Sequence, residues 1–126
     1  RLKLADLFLD TYPCNAHTTA SDSLRSCLPI ITLRGNSFAS RVTSSLLSSV
    51  GLAKLITDTK QEYEELAIKI ATENDYFDKI KNELKNNIKT KPLLNTRMFT
   101  KNLEKAYFNV YEKYINNNIP ETIEIN

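Results

Sequence analysis

Apolar residues fall in short blocks in the first half of the chain and at helical spacing in the second. Leu4 to Asp10 carries the run Leu7-Phe8-Leu9 and ends on an aspartate, the pattern of a short buried strand. Thr11-Tyr12-Pro13 is a loop punctuated by proline. Thr18 to Leu28 reads as a helix that Pro29 must end. Ile30-Ile31-Thr32-Leu33 is a second, β-branched strand. After the turn Arg34-Gly35-Asn36, Ser37 suits the N-cap of a helix to about Val50. Phe38, Val42, Leu46 and Val50 lie on one stripe of it, and Gly51 closes it. Lys54 to Thr57 is a third strand. This alternation predicts a parallel sheet with crossover helices, half of a doubly wound nucleotide-binding fold.

From residue 59 the rhythm changes. Thr59-x-x-Glu62 has capping-box spacing, and Tyr63, Leu66, Ala67 and Ile70 follow on one helical face. Phe77, Ile80, Leu84 and Ile88 share a face of the next helix. Lys89 to Asn95, with Pro92, is a connector. Thr96 is the expected cap of a last helix striped by Phe99, Leu103, Tyr107, Val110 and Tyr114. Core packing is the expected role of Leu103 and Val110. Three asparagines and Pro120 end that helix. The expected class is therefore α/β: a half-Rossmann over residues 1–58 with three short parallel strands, and a helical extension over 59–126. No internal repeat is visible.

Composition changes this picture little. The 126 residues are 41% hydrophobic and 25% charged, as in an ordinary globular domain. A net charge of +2 argues neither for nucleic acid nor for an anionic membrane surface. No apolar run is long enough to span a bilayer. Two cysteines without a framework fit reduced thiols in a cytoplasmic setting, although a Cys14–Cys27 bridge stays open. The chain starts at Arg1 and enters its first strand almost at once, so it is expected to be a piece of a longer protein.

The candidate chemistry sits in CNAHTTASD, Cys14 to Asp22, which holds the only histidine. In an open α/β sheet the loop beyond a strand's carboxyl end is where ligands bind. A helix starting near Thr18 would aim free N–H groups and a positive dipole end into that loop. Two threonine hydroxyls and His17 add donors, and Asp22 could accept from a ribose. Plain capping is the simpler account, because Thr19-x-x-Asp22 also has capping-box spacing. With glycine only at 35 and 51, neither a dinucleotide fingerprint nor a P-loop is possible. One histidine and two cysteines make no metal-ligand spacing. Cys14 and His17 could form a nucleophile–base pair, but no third group orients the base.

Three segments carry a resemblance: LADLFLDTYPCNAHTTASDSL, PIITLRGNSFASRVTSSLLSSVGL and LITDTKQEYEELAIKIA. Together with PLLNTRMFTKNLEKAY they resemble the C-terminal catalytic lobe of the O-linked N-acetylglucosamine transferase family. That family includes SPINDLY-like and bacterial relatives, with tetratricopeptide repeats upstream. The resemblance implies a two-lobed GT-B glycosyltransferase that moves a sugar from a nucleotide sugar to Ser or Thr of a protein. His17, Thr18 and Thr19 would contact the diphosphate of the donor, Asp22 its ribose, and Cys14 the border of the sugar pocket. The Gly35 turn and Ser40-Arg41 would be mostly structural. Ala16 and Ala20 stand where some relatives have glycine, and Arg25 where tryptophan is common. The implied partners are the nucleotide sugar, the protein acceptor, the N-terminal lobe and the repeats. No cofactor or metal is implied. No catalytic group is expected within this chain, which alone should not turn over. A scaffold role without chemistry, and a GDP-fucose donor in place of UDP-N-acetylglucosamine, remain open alternatives. Part of the aromatic surface of the last helix would belong to the other lobe.

Overall fold

β1 is Phe8–Leu9, β2 is Ile30–Leu33 and β3 is Ile56–Thr57; they form a parallel sheet in the order β1-β2-β3. Phe8 pairs with Ile30 and Leu9 with Ile31, and on the other side Thr32 pairs with Ile56 and Leu33 with Thr57. α1 (Thr18–Arg25) connects the first pair and α2 (Val42–Ser49) the second. Two successive crossovers of one hand put α1 and α2 on the same face, where they touch. α3 (Lys60–Thr72) packs on β2 and β3, and α4 (Asn74–Thr90) on α3 and α1. The fold is described from this computed structural model over residues 1–125.

All four residues of β2 are buried. That is the mark of a central strand covered on both faces, and it is why Ile-Ile-Thr-Leu reads as a continuous run without alternation. The core joins Leu24 of α1, Ile30 and Ile31 of β2, Leu47 of α2, and Ile80 and Leu84 of α4, all fully buried. Truncating any of these leucines to alanine would cost about 2–5 kcal/mol.

Residues 1–94 form one compact unit, which includes the half-Rossmann together with α3 and α4; residues 95–126 form a second. The second unit consists of α5 (Thr96–Ile115) and the residues after it. No residue of α5 is buried, so Leu103 and Val110, expected in a core, are exposed, as are Tyr107, Phe108, Tyr111 and Tyr114.

Several boundaries differ from the sequence pattern. Leu2–Leu4 is a 3-10 turn, and β1 takes only the last apolar residues before Asp10. α1 stops at Arg25, because Cys27 adopts a left-handed φ of 58° and turns the chain back. Its N–H reaches Leu24 O and the Leu28 N–H reaches Ser23 O, a Schellman closure. Gly51, at φ 75°, closes α2 in the same way, through Gly51 N–H to Ser48 O and Leu52 N–H to Leu47 O. The helix expected from Ser37 to Val50 is split. Ser37 does cap, in a reciprocal box with Ser40, but it caps a single 3-10 turn, Phe38–Ser40. α2 then buries Thr43, Ser44 and Leu47. The turn takes the first residue of the expected stripe out of the helix: Phe38 is 82% exposed and lines a surface groove with the half-buried Val42 and Leu46, whereas Leu46 also packs against the core and Val50 is fully buried, as expected. Ala53–Leu55 is 3-10, so β3 begins at Ile56. Asn95, not Thr96, caps α5, its side chain accepting from the Met98 N–H at 3.0 Å.

Candidate functional site

The segment from Asp10 to Thr18 leaves β1 at its carboxyl end and is held by buried polar groups. Asp10 is 6% exposed. Its Oδ1 accepts from the Thr11 N–H at 3.0 Å and the Ala16 N–H at 2.7 Å, so one carboxylate oxygen closes the loop on itself. Its Oδ2 accepts from the Thr32 hydroxyl at 2.7 Å, which ties the loop to the central strand. Asn15 Nδ2 donates to Thr32 Oγ1 at 2.7 Å and to Leu33 O at 2.9 Å. Since the Thr32 proton goes to Asp10, both of these partners are acceptors, and the amide can be oriented only one way. Asn15 Oδ1 is then left buried without a partner among the described residues.

Further ties come from the neighbouring elements. The Asn15 N–H donates to Ala39 O at 3.1 Å, the Thr43 hydroxyl to Ala16 O at 2.7 Å, and the Tyr63 hydroxyl to Asp10 O at 2.9 Å. Every carboxyl-edge loop of the sheet therefore contributes to holding this one. Burial, and secondarily the negative charge of Asp10, push the Tyr63 phenol above its ordinary value of 10.0. The peptide between Tyr12 and Pro13 is cis.

This scaffold decides how α1 begins. His17 is the N-cap, with φ −112° and ψ −88°, and its side chain makes no capping bond. Its ring turns away: Nε2 lies 3.3 Å from Ala39 O, and the ring meets Phe38 edge-on at 5.9 Å. The expected Thr19–Asp22 capping box does not form, because Thr19 is already inside the helix. The N–H groups of Thr18, Thr19 and Ala20 consequently have no acceptor among the described residues. His17, Thr18, Thr19 and Asp22 are all exposed around this start. Thr18 and Asp22, four apart, share a helix face, and the Asp22 carboxylate takes no hydrogen bond among the described residues. Cys14 is exposed and Cys27 partly buried; both thiols are free and no disulfide joins them. A short helix start with open N–H groups, flanked by hydroxyls and an imidazole, is suited to an anion with several oxygens.

The supporting residues Asp10, Asn15, Thr32, Thr43 and Tyr63 are not evident as a group in the sequence. Their only local sign is a polar residue where an apolar run should continue: Asp10 after Leu9, and Thr32 inside Ile-Ile-Thr-Leu. Among the described residues, no group of three or more His, Cys, Asp or Glu is placed to hold a metal ion. No helix there is long and apolar enough to cross a membrane.

The sequence profile of Glycosyl transferase family 41 matches residues 1–103. A probable UDP-N-acetylglucosamine–peptide N-acetylglucosaminyltransferase SEC from Arabidopsis thaliana is 36% identical over 99% of this chain, which spans 13% of that relative. The corresponding SPINDLY protein of Petunia hybrida is 35% identical over 93% of the chain, again spanning 13% of the relative. Among solved structures, a K341M mutant of the Thermobaculum terrenum O-GlcNAc transferase superposes with a TM-score of 0.74 at 32% identity. It covers 81% of this chain, which corresponds to 20% of that one.

Proposed function

The chain belongs to glycosyltransferase family 41, and on that premise we propose that it is the donor-gripping part of an enzyme that glycosylates Ser or Thr of proteins. The donor is a nucleotide sugar, UDP-N-acetylglucosamine in the first instance, as the names of its relatives suggest. The observation that carries this reading is the open start of α1, whose first N–H groups are left free because the His17 side chain caps none of them.

The division of labour follows from geometry. The N–H groups and hydroxyls of Thr18 and Thr19, with the His17 ring, receive the diphosphate. Charge grows on the bridging oxygen as the sugar leaves. Donors fixed beforehand by Asp10 and Asn15 stabilise it without reorganising at that moment. Asp22, one turn on, accepts from the ribose hydroxyls, and Cys14 borders the sugar. No metal takes part in this scheme: the open N–H groups and dipole end of α1, with the threonine hydroxyls, face the diphosphate. The groups that activate the acceptor, and most of those that bind it, belong to the rest of the protein, outside the 13% of its relatives that this chain spans. That remainder includes an N-terminal lobe and tetratricopeptide repeats. The enzyme works in the cytoplasm.

An amide NMR titration of the chain with UDP and GDP tests this. Shifts should centre on Thr18, Thr19 and Ala20, and His17→Ala should weaken them. Shifts elsewhere, or none with millimolar ligand, would overturn the assignment. A tighter grip on GDP would replace the UDP-sugar donor by a GDP-sugar.

A further inference from the structure

A second recess opens on the same edge of the sheet. It has a volume of about 510 Å³ and is lined by Tyr12, Arg34, Gly35, Asn36, Arg41 and Asp58. These residues come from the loops after β1, β2 and β3, so all three strands deliver into it at their carboxyl ends, where open α/β sheets bind ligands.

Its charges are unequal. Arg34 gives Nε and Nη2 to the two oxygens of Asp58, each at 2.8 Å. That fork pairs two of the three charges and holds the Arg34 plane in place. Arg41 donates Nη1 to Gly35 O at 3.0 Å and makes no ion pair among the described residues. The Arg41 guanidinium is thus an uncompensated cation with N–H groups to spare, beside the Asn36 amide and the Tyr12 phenol. A carboxylate would find two planar donors and one net positive charge. A dense polyanion would instead meet Asp58.

We propose that this pocket receives an acidic side chain of the protein acceptor, through Arg41 and the Arg34 edge. The inference rests on the donor reading above. The turn that forms the pocket also supplies Ala39 O, against which His17 leans. An acidic residue held there would set which acceptor chains approach the donor.

The test uses this chain and two Ser-containing peptides that differ only in Glu against Gln. The Glu peptide should shift the amides of Gly35, Asn36 and Arg41 and bind about tenfold more tightly than the Gln peptide. Arg41→Gln should erase the difference. Asp58→Asn, which frees the charge of Arg34, should widen it. Equal affinities for the two peptides, or a preference that survives Arg41→Gln, would overturn the proposal. Acetate binding as tightly as the Glu peptide would also overturn it, leaving a small-anion hole. UDP added to the same samples separates the two readings. UDP shifts without a peptide preference sink only the acceptor pocket, and a peptide preference without UDP shifts sinks only the donor site.

Discussion

α1 and α3 both follow a parallel strand on the same edge, and both carry a threonine three residues before an acid. Thr59 and Glu62 close a full capping box: Thr59 Oγ1 accepts from the Glu62 N–H at 3.1 Å, and Glu62 accepts from the N–H groups of Asp58 and Thr59 at 2.9 and 3.0 Å. Those two backbone donors hold the Glu62 carboxyl below its ordinary value. Thr19 and Asp22 do nothing of the kind, because α1 begins one residue ahead of Thr19. The donors of α3 are used up within its own cap. Those of α1 are left over, and a left-over donor on a rigid loop is what a ligand can use. Identical spacing therefore makes a structural end in one place and a candidate binding end in the other.

The largest effect should come from removing what keeps α1 open. Asp10→Ala would strand the Thr11 and Ala16 N–H groups and the Thr32 hydroxyl. Chemical denaturation should register a loss of about 3 kcal/mol, with the 11–17 amides losing exchange protection. A loss below 1 kcal/mol would mean that the loop is held some other way.

Gly35→Ala comes next. A Cβ there would clash with Ser40 Oγ and lie 3.2 Å from the Tyr12 ring. The Ser40 side chain is fixed in the Ser37 box, so the turn must open. About 2 kcal/mol should be lost, and UDP binding should weaken because Ala39 O shifts beneath His17. A variant with unchanged melting and unchanged UDP affinity would break the link between turn and site.

The two threonines sharpen the comparison most directly. Thr59→Ala should cost about 1 kcal/mol by removing a cap. Thr19→Ala should change stability by less than about 0.5 kcal/mol yet reduce UDP affinity. Equal destabilisation by the two would show that α1 is capped after all.

The smallest effect concerns Tyr63, which ties α3 to the backbone of Asp10. Its phenol ionises later in the folded chain than in the unfolded one. The unfolded state therefore sheds the proton first as pH rises past 10.0, and stability falls from there toward the folded value. Below that pH the contribution is fully present. Urea melts of Tyr63→Phe should lack this alkaline component, and an unchanged profile would place the phenol in water.

Much of the fold was legible locally. Ile30–Leu33 is a strand, Thr59 caps a helix, and Gly51 ends one, as their sequence suggests, because each is governed by neighbours within a few residues. The stripe Phe38-Val42-Leu46-Val50 was legible as apolar, and Leu46 and Val50 do pack in the core, but the exposure of Phe38 was not legible, since a 3-10 turn takes it out of the helix. The site was half legible. His17, Thr18, Thr19 and Asp22 stand out as donors and acceptors after a strand, whereas Asn15 and Thr43 carry no local sign of their role.

The sequence by itself determined the alternation of strands and helices, the parallel sheet and the helical second half, because hydrophobic period and turn residues act over short distances. It also determined which polar groups stand after β1. Only the tertiary structure decided which helix start stays open. The hydrogen bonds from Asn15 to Ala39, from Thr43 to Ala16 and from Thr32 to Asp10 span 22 to 27 residues and place the backbone of His17. Those long-range bonds fix where α1 begins, and moving the N-cap two residues, from Thr19 to His17, converts a cap into a set of free donors.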